Sequence, residues 1–341
     1  MEDTTMFGEA SEASTAVARQ TRENAKVMKR IGATFRELSP QVIVTCARGS
    51  SDHAATYGKY LIETQAGVPT LSAAPSVSSV YLVKPKMRDA VFVAISQSGK
   101  SPDLLAAATA AKDAGALVVA LVNVPESPLT ELADEVVPLH AGVETSVAAT
   151  KSFIATLSAL VHLVAEWTDN IELMRALNDL PKQLKLAWAL DWSEATDALV
   201  EASNFFVIGR GVGFGIAQEA ALKFKETAGL HAEAYSAAEV QHGPMAIVEK
   251  GFPVLVFVQD DETQQGLDTI IGEFVSREAK VIVAGRECER TINLPWVVTE
   301  SAPTAPILLI QTFYRMANAL SVARGFNPDC PPHIRKVTET V

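Results

Sequence analysis

The sequence has 341 residues, which predicts two domains at the usual ~100–200 residues each. Hydrophobic residues make up 48% of it and charged residues 20%, a balance that supports a substantial core and excludes global disorder. The net charge is −11 without any run of Lys or Arg, which excludes the basic surface typical of nucleic-acid-binding proteins.

The cysteines argue against a disulfide framework and against a zinc site. Cys46, Cys288 and Cys330 form no CxxC motif and no metal-ligand spacing with histidine, a pattern typical of the reducing cytosol. The acidic first ten residues lack the apolar segment of a signal peptide, and apolar runs such as 252–258 are too short to span a bilayer. We therefore expect a cytoplasmic protein with no metal, no membrane contact and no nucleic-acid partner.

Helices and strands alternate along the first half of the chain. Residues 10–38 lack proline and carry spaced apolar positions, which predicts a leading helix. Apolar and β-branched runs then predict strands at 41–46, 90–95, 116–122 and 135–138, and helical patterns lie at 52–65, 102–114 and 150–167. This alternation predicts a parallel sheet covered on both faces.

The same order of elements recurs after a helical connector at 170–202, starting with a strand at 204–208. An offset of 163 residues places 93–95 on 256–258, 118–120 on 281–283, Glu63 on Glu226, and helix 150–167 on a segment that begins at Phe313. This repetition predicts an internal duplication. The predicted organisation is a helical segment (1–38), a first α/β domain (39–168), a helical connector (169–202), a second α/β domain (203–325) and a tail (326–341).

A serine-rich loop, SQSGKSPD at 96–103, ends a buried strand and opens a helix with Ser101 at its N-cap. Hydroxyls and backbone N–H groups at a helix start favour an anion such as phosphate, although an ordinary N-capped loop has the same pattern. Ser50 and Ser51 form a second hydroxyl loop after the first strand, at the edge where open α/β sheets bind ligands. The equivalent loop of the second half, QDDE at 259–262, would repel phosphate.

The stretch from Glu219 to Pro244, which we interpret as a helix–loop–helix pattern, carries eight ionisable residues: Glu219, Lys223, Lys225, Glu226, His231, Glu233, Glu239 and His242. Glu219, Lys223 and Glu226 share one helical face, and the apolar remainder of that helix predicts burial. A partly buried Glu beside a Lys is typical of a general base, whereas a surface salt-bridge ladder is the other interpretation. His242 is either a loop residue or a functional one.

Nucleotide cofactors are not indicated by the glycine-rich segment GRGVGFG at 209–215. Phe214 stands where a dinucleotide-binding loop requires its third glycine, and no acidic residue follows at a suitable position for a ribose. The phosphate-loop motif GxxxxGK[ST] is absent as well. We therefore expect no cofactor.

Six motifs occur in order: ARGSSDHAA, SQSGKSPD, VAATKSF, EAALKFKE, HAEAYSAAEVQHGP and RKVTETV. Together they resemble the sugar isomerase (SIS) family, and more closely the isomerase half of glutamine–fructose-6-phosphate aminotransferases. The resemblance covers nearly the whole chain after the leading helix. It implies an α/β fold of two tandem SIS domains, each a three-layer α/β/α sandwich with a mostly parallel, flavodoxin-like sheet. It also implies a homodimer with shared active sites.

The resemblance implies roles for individual residues. The implied phosphate-binding and sugar-binding positions are Ser50, Ser51, Ser96, Gln97, Ser98, Ser101, Val147 and Ala149. The implied catalytic positions are Glu226, which moves a proton between C1 and C2, Glu219 and Lys223, which accompany it, His242, which opens the sugar ring from across the dimer interface, and Lys336, which can form a Schiff base with the ketose. The tail at 326–341 would close the active site.

The chain departs from the family pattern at several of these positions. Arg48 replaces the usual Cys of the first loop, Ala149 replaces a Ser, and Arg335 replaces the Ala before the tail lysine. The sequence starts Met1-Glu2 without the cysteine nucleophile of a glutaminase domain, so we expect no glutamine hydrolysis by this chain. Its RKVTETV end resembles stand-alone deaminases of the family.

The resemblance therefore implies an aminosugar-6-phosphate deaminase/isomerase, with a phosphorylated aminosugar as substrate. The expected reaction converts glucosamine 6-phosphate and water into fructose 6-phosphate and ammonia. A fructosamine-6-phosphate deglycase and a galactosamine-6-phosphate deaminase/isomerase are the alternatives among enzymes. A non-catalytic sugar-phosphate sensor is the alternative of another class, although a sensor does not need Glu226, His242 and Lys336 together.

Overall fold

The structure is a computed structural model that describes residues 4–336. The chain divides into two compact units. Of the described residues, the first unit comprises 15–144, 151–178 and 335–336, and the second comprises 4–14, 145–150 and 179–334. The five-part organisation expected from the sequence stays a prediction.

Five parallel strands form the sheet of the first unit, in the order β2-β1-β3-β4-β5. These strands are β1 (Ile43–Cys46), β2 (Thr70–Ser72), β3 (Val91–Ser96), β4 (Leu117–Val122) and β5 (Glu135–Pro138). The accompanying helices are α2 (Ala13–Leu38), α3 (Ser50–Ala66), α4 (Pro75–Ser79), α5 (Pro102–Asp113), α6 (Pro128–Leu132) and α7 (Lys151–Trp167). Every residue of β3 is buried, as expected for a central strand with both faces covered.

The second unit contains a parallel sheet of the same topology, in the order β7-β6-β8-β9-β10. These strands are β6 (Asn204–Gly209), β7 (His231–Ser236), β8 (Pro253–Phe257), β9 (Lys280–Ala284) and β10 (Ile292–Leu294). The remaining helices are α1 (Thr5–Ser11), α8 (Ile171–Ala189), α9 (Ser193–Leu199), α10 (Gly213–Ala228), α11 (Gln264–Ser276) and α12 (Ala305–Ala323). Both sheets have the flavodoxin-like strand order, so the predicted fold class is confirmed.

Three edge strands, β2, β7 and β10, were absent from the sequence prediction. The sequences of β2 and β7, TLS and HAEAYS, hold few β-branched residues, so their strand propensity is weak. β10 has only three residues, INL. The interpretation of 219–244 as helix–loop–helix was therefore wrong. That stretch is the end of α10, strand β7 and two short 3₁₀ turns, Glu239–Gln241 and Pro244–Ile247.

Three further details differ from expectation. The leading helix is interrupted at Glu12, between α1 and α2. Ser50 and Ser51 lie in the first turn of α3 and not in a loop. The helix α12 begins at Ala305, eight residues before Phe313, because the connection that precedes it is shorter than its counterpart in the first half.

Aromatic contacts fix α10, the helix that carries the predicted base, within the second unit. The Phe224 ring lies edge-on to Phe205 of β6 at 4.7 Å between centroids and to Phe313 of α12 at 5.0 Å. Buried edge-to-face pairs of this kind favour one orientation of the helix. Within residues 4–336, no helix is long and apolar enough to cross a lipid bilayer.

Candidate active site

The candidate phosphate loop lies between β3 and α5 at the carboxyl edge of the first sheet. Ser96 is buried, and its Oγ accepts a hydrogen bond from the N–H of Gly99 at 3.0 Å. Gly99 has a φ of +66°, and a Cβ at that position would lie 2.3 Å from Ser127 Oγ, so the turn requires glycine. Gln97 and Ser98 on this turn are half-buried and partly open to solvent.

Two helices begin side by side at this edge, because β1 and β3 are neighbouring parallel strands. Helix α3 begins with Ser50 and Ser51, and α5 has Ser101 as its N-cap. The Ser101 side chain makes no capping hydrogen bond to its own helix. Helix N-termini carry partial positive charge and unpaired N–H groups. The first unit therefore brings the predicted phosphate-binding residues together at two helix starts.

An ion pair joins the starts of these two helices. Arg48 Nε and Nη2 donate to Asp103 Oδ2 at 2.9 and 2.7 Å, and the Asp103 side chain is buried. Nearby, burial and then the charge of Asp103 raise the pKa of the Cys46 thiol to about 12. Cys46 therefore stays protonated at neutral pH and is not a candidate nucleophile.

The predicted catalytic cluster lies on one face of α10 in the second unit. Lys223 Nζ lies 2.5 Å from Glu226 Oε2 and 3.3 Å from Glu219 Oε1. Glu219 also accepts a hydrogen bond from the Tyr314 hydroxyl of α12 at 3.1 Å. Glu219 and Lys223 are fully buried, whereas the Glu226 side chain retains 22% exposure. The arrangement is a buried ion triad with one carboxylate open to solvent, and not a surface ladder.

Lys223 is a cation at neutral pH. Burial alone lowers the pKa of this amine, but the carboxylates of Glu219 and Glu226 more than offset that effect, so its pKa is raised. The ammonium holds Glu226 Oε2, while Oε1 makes no hydrogen bond within the described part of the chain. Glu226 is therefore held at one oxygen and available at the other, as a proton-transfer group requires.

The duplicated fold supplies an internal comparison for Glu226. Glu63 occupies the equivalent position of α3, and its Oε1 accepts the backbone N–H of Thr70 in β2 at 2.9 Å. The first half carries Thr56 and Tyr60 where α10 has Glu219 and Lys223. Glu63 is a structural residue that fastens an edge strand, whereas Glu226 is held by a buried cation.

His242 lies between the two 3₁₀ turns of the second unit, and its side chain is exposed. Its backbone N–H donates to Glu239 O at 2.9 Å, but its imidazole makes no hydrogen bond among residues 4–336. Burial and then Glu233, which had no predicted role, raise the pKa of the Tyr235 phenol to about 12. The structure does not place His242 beside the α10 cluster through any direct hydrogen bond.

The predicted sugar-contacting loop is fastened by residues that the sequence prediction missed. Glu9 of α1 accepts the backbone N–H groups of Thr145 and Ser146 at 2.5 and 3.1 Å. The N–H of Val147 donates to the backbone oxygen of Asp329 at 3.4 Å. Val147 and Ala149 are half-buried. The loop 145–149 is thus held from both ends of the chain within the second unit.

The tail lysine has a carboxylate partner in the first unit. Lys336 Nζ lies 3.4 Å from Glu144 Oε2, and the Glu144 side chain is fully buried. Ser152 donates to Glu144 from its backbone N–H at 3.2 Å and from its Oγ at 2.5 Å. Glu144 therefore fastens the lysine to the start of α7, and it too was missed by the sequence prediction.

Residues 4–336 contain no group of three His, Cys, Asp or Glu side chains that could hold a metal ion. A cavity of about 640 Å³ in the second unit is lined by residues such as Phe7, Trp192 and Arg315, and includes none of the predicted site residues. The expectation of no metal and no cofactor stays a prediction.

Comparison with known proteins identifies relatives of both halves. The SIS domain family model matches residues 39–166 and 198–284. Glutamine–fructose-6-phosphate aminotransferase of Chlorobaculum tepidum is 34% identical over 319 residues, covering 86% of this chain and 50% of that protein. The chain thus spans about half the length of the curated relatives that it matches.

Solved structures match nearly the whole chain. The "putative phosphosugar isomerase" of Silicibacter pomeroyi superposes with a TM-score of 0.92 at 42% identity, covering 96% of this chain and 100% of that one. The C-terminal domain of glucosamine-fructose-6-phosphate aminotransferase from Francisella tularensis superposes with a TM-score of 0.84 at 25% identity, covering 96% and 98%. The predicted resemblance to the isomerase half of the aminotransferases is confirmed.

Proposed function

The chain belongs to the SIS domain family, and we propose that it is an aminosugar-6-phosphate deaminase/isomerase. The proposed reaction converts glucosamine 6-phosphate and water into fructose 6-phosphate and ammonia. The observation that carries the proposal is the buried triad on α10, in which Lys223 holds one oxygen of a partly exposed Glu226. A sensor would gain nothing from burying two charges beneath an accessible carboxylate, because such burial costs free energy.

In the proposed reaction Glu226 is the base. Its carboxylate takes the proton from C2 of the open-chain sugar and returns it to C1, while O1 gains a proton and the nitrogen loses one. The carbonyl at C1 thereby becomes a hydroxymethyl group and an imine forms at C2. Water adds to C2, and the nitrogen leaves as ammonia, so that fructose 6-phosphate remains. A positioned base of this kind contributes about 10²–10⁴-fold to the rate. Lys223 Nζ, 2.5 Å from Glu226 Oε2, holds this side chain in position.

The proposed phosphate site uses the hydroxyls and N–H groups at the starts of α3 and α5. Ser98 and Ser101 are partly exposed at these helix starts. The proposal predicts different kinetic effects for changes to this loop and to Glu226. Ser98→Ala should therefore raise KM, since it removes a phosphate contact, while Glu226→Gln should reduce kcat.

The proposed roles of His242 and Lys336 complete the reaction. The exposed imidazole of His242 would assist ring opening in a partner subunit, and Lys336 would hold the open-chain sugar covalently or by charge.

If two chains share each site, mixing Glu226→Gln with His242→Ala should restore activity, because half of the heterodimer's sites are intact. About a quarter of the wild-type activity is expected after full exchange, and no recovery would exclude shared sites.

The direct experiment measures ammonia release from glucosamine 6-phosphate. Wild type should release ammonia and form fructose 6-phosphate in equal amounts, and Glu226→Gln should lower kcat at least about 100-fold. Glu63→Gln is the matched control, because it makes the same change at the duplicated position and keeps an acceptor oxygen for the Thr70 N–H. Full turnover by Glu226→Gln, or equal losses in both variants, would contradict the assignment of the base.

A substrate panel tests the identity of the sugar. Galactosamine 6-phosphate and a fructosamine 6-phosphate should each be turned over more slowly than glucosamine 6-phosphate, as judged by kcat/KM. A higher kcat/KM for either would move the proposal to that substrate. Binding of all three without turnover by the wild-type protein would instead identify a sensor.

A further inference from the structure

Arg48 stands where the first strand of the sheet meets the candidate phosphate site. It follows β1 directly and precedes Gly49, the N-cap of α3. Its guanidinium reaches across to Asp103 in the first turn of α5, since β1 and β3 are adjacent parallel strands. A cation is thus located at the point where two helix N-termini begin side by side.

The Arg48 guanidinium is held in one orientation, but only some of its N–H donors are bonded to the described residues. Nε and Nη2 both donate to a single oxygen, Asp103 Oδ2, whereas Oδ1 accepts the N–H of Leu104 at 2.8 Å. Asp103 is 1% exposed, but the Arg48 side chain is 52% exposed. Nη1 makes no hydrogen bond to the described residues. The buried carboxylate of Asp103 therefore binds the side of the planar guanidinium that carries Nε and Nη2, and the side that carries Nη1 stays open to solvent.

The charges around the loop 96–103 also favour phosphate binding by Arg48. The chain carries a net charge of −11, so a phosphate dianion needs local cations to approach this edge. Asp103 would oppose it, and the guanidinium neutralises that carboxylate. Lys100 is the cation of the loop 96–103 itself, and it lies at an exposed position. A guanidinium presents paired N–H donors that match a phosphate, and an orienting carboxylate reduces the entropy lost on binding.

We propose that Arg48 is a ligand of the substrate's phosphate group, oriented for that role by Asp103. The proposal rests on the phosphate site of the proposed function but not on the reaction that follows. It also accounts for the departure from the family pattern at this position, since the cysteine usual there cannot supply a positive charge. The residue would increase affinity for phosphorylated sugars and leave the unphosphorylated sugar unaffected.

The test is calorimetric titration of the full chain with fructose 6-phosphate and with inorganic phosphate. Arg48→Met should weaken both affinities by about 10- to 100-fold, the range for a hydrogen bond to a charged group. Arg48→Lys should weaken them less, because charge remains while the fork is lost. Lys100→Met is the matched control and should change them by less than about 3-fold.

A second variant separates ligand binding from neutralisation of Asp103. Arg48→Met alone leaves a buried carboxylate unpaired and can unfold the loop. Arg48→Met/Asp103→Asn removes both charges, so the loop should fold, but phosphate affinity should stay low. Wild-type affinity in the double variant would overturn the proposal and make Arg48 a structural residue. Failure of wild type to bind either phosphate probe would overturn it as well.

Failure of this proposal is distinguishable from failure of the proposed function. Absence of ammonia release, with phosphate affinity that still depends on Arg48, would reject only the reaction. Ammonia release with an unchanged KM in Arg48→Met would reject only the phosphate contact. For an active enzyme, Arg48→Met should raise KM by the same factor as it weakens binding, with kcat changed less than about 3-fold.

Discussion

Replacing Lys223 by Met tests whether the α10 cluster is a buried ion triad. The Lys223 side chain is 1% exposed and its Nζ contacts both carboxylates, whereas Met has a similar length and no charge. The change leaves the fully buried Glu219 without its ammonium partner. Removing one member of a buried pair costs about 3–5 kcal/mol of stability, so the midpoint of urea unfolding should fall markedly.

The paired variant Glu219→Gln/Lys223→Met should recover most of that loss. It removes the buried carboxylate together with the cation, while the amide oxygen can still accept the Tyr314 hydroxyl. Replacing a complete buried ion pair by neutral groups is close to neutral for stability. The double variant should therefore be more stable than the single variant although it carries more substitutions.

The pH dependence of stability follows from the direction in which the pKa of Lys223 is shifted. The pKa of Lys223 is raised in the folded chain above its ordinary value of 10.5. Stability from a raised pKa is fully present below the unfolded value and is lost as pH rises through the folded one. The difference between wild type and Glu219→Gln/Lys223→Met should consequently be constant from about pH 6 to 9 and change only above about pH 10.5, because this comparison leaves no unpaired buried carboxylate to titrate.

Urea unfolding monitored by circular dichroism at several pH values measures these differences. A Lys223→Met protein as stable as wild type would refute the burial argument. So would a double variant less stable than the single one, because the cost could then not come from an unpaired charge. A stability difference that changes between about pH 6 and 9 would show that another group is titrating.

Three further outcomes are expected. Burial lowers the pKa of His162 to about 4, so stability should fall by ~3 kcal/mol as pH drops from 6.5 through that value, and His162→Leu should flatten this slope in urea unfolding. Glu144→Gln should lower kcat and speed tryptic cleavage after Lys336, as mass spectrometry would show, because the charge that fastens the tail is lost; unchanged cleavage would contradict it. Gly285→Ala places a Cβ 1.9 Å from a backbone oxygen at a φ of +111° and should destabilise by about 2–4 kcal/mol, whereas Gly272→Ala meets no atom within 4 Å and should be neutral or stabilising in thermal unfolding.

The sequence predicted the central elements of the fold because burial leaves a strong local signal. β3 is apolar from Val91 to Ile95, since both faces of a central strand are covered. The edge strands β2, β7 and β10 carry no such signal, because they pair on one side and are partly exposed. Their positions are set by pairing with β1, β6 and β9, which is information from other parts of the chain.

The residues of the candidate site also fall into two groups, those that local sequence could predict and those that it could not. Glu219, Lys223 and Glu226 could be found because helical spacing places them on one face within eight residues. Glu9 and Glu144 could not be found in this way, since each one contacts residues that are distant in the sequence. Glu9 contacts a backbone 136 residues away, and Glu144 contacts a lysine 192 residues away. Only the placement of a lone carboxylate beside Ser and Thr in ETSVAATKS hinted at a buried polar role.

In the second half, a carboxylate of the chain itself occupies the loop that is equivalent to the candidate phosphate loop. Asp261 Oδ1 accepts the Thr263 N–H at 2.8 Å and the Thr263 hydroxyl at 2.5 Å, at the N-cap of α11. Gln259 donates to the other Asp261 oxygen at 3.1 Å. A carboxylate of the chain itself thus occupies the helix start that, in the first half, is proposed to receive phosphate.

The connection that follows has diverged as well. It has 28 residues between β4 and α7, including the loop 145–149, but only 20 between β9 and α12. Among the described residues of the second half, Asp261 thus occupies the start of α11, and the connection before α12 is eight residues shorter than the one that contains the loop 145–149. Titration with fructose 6-phosphate should therefore give one molecule bound per chain. Two molecules per chain would show that Asp261 yields to phosphate, and the expectation that the loop at 259–262 repels phosphate would then be wrong.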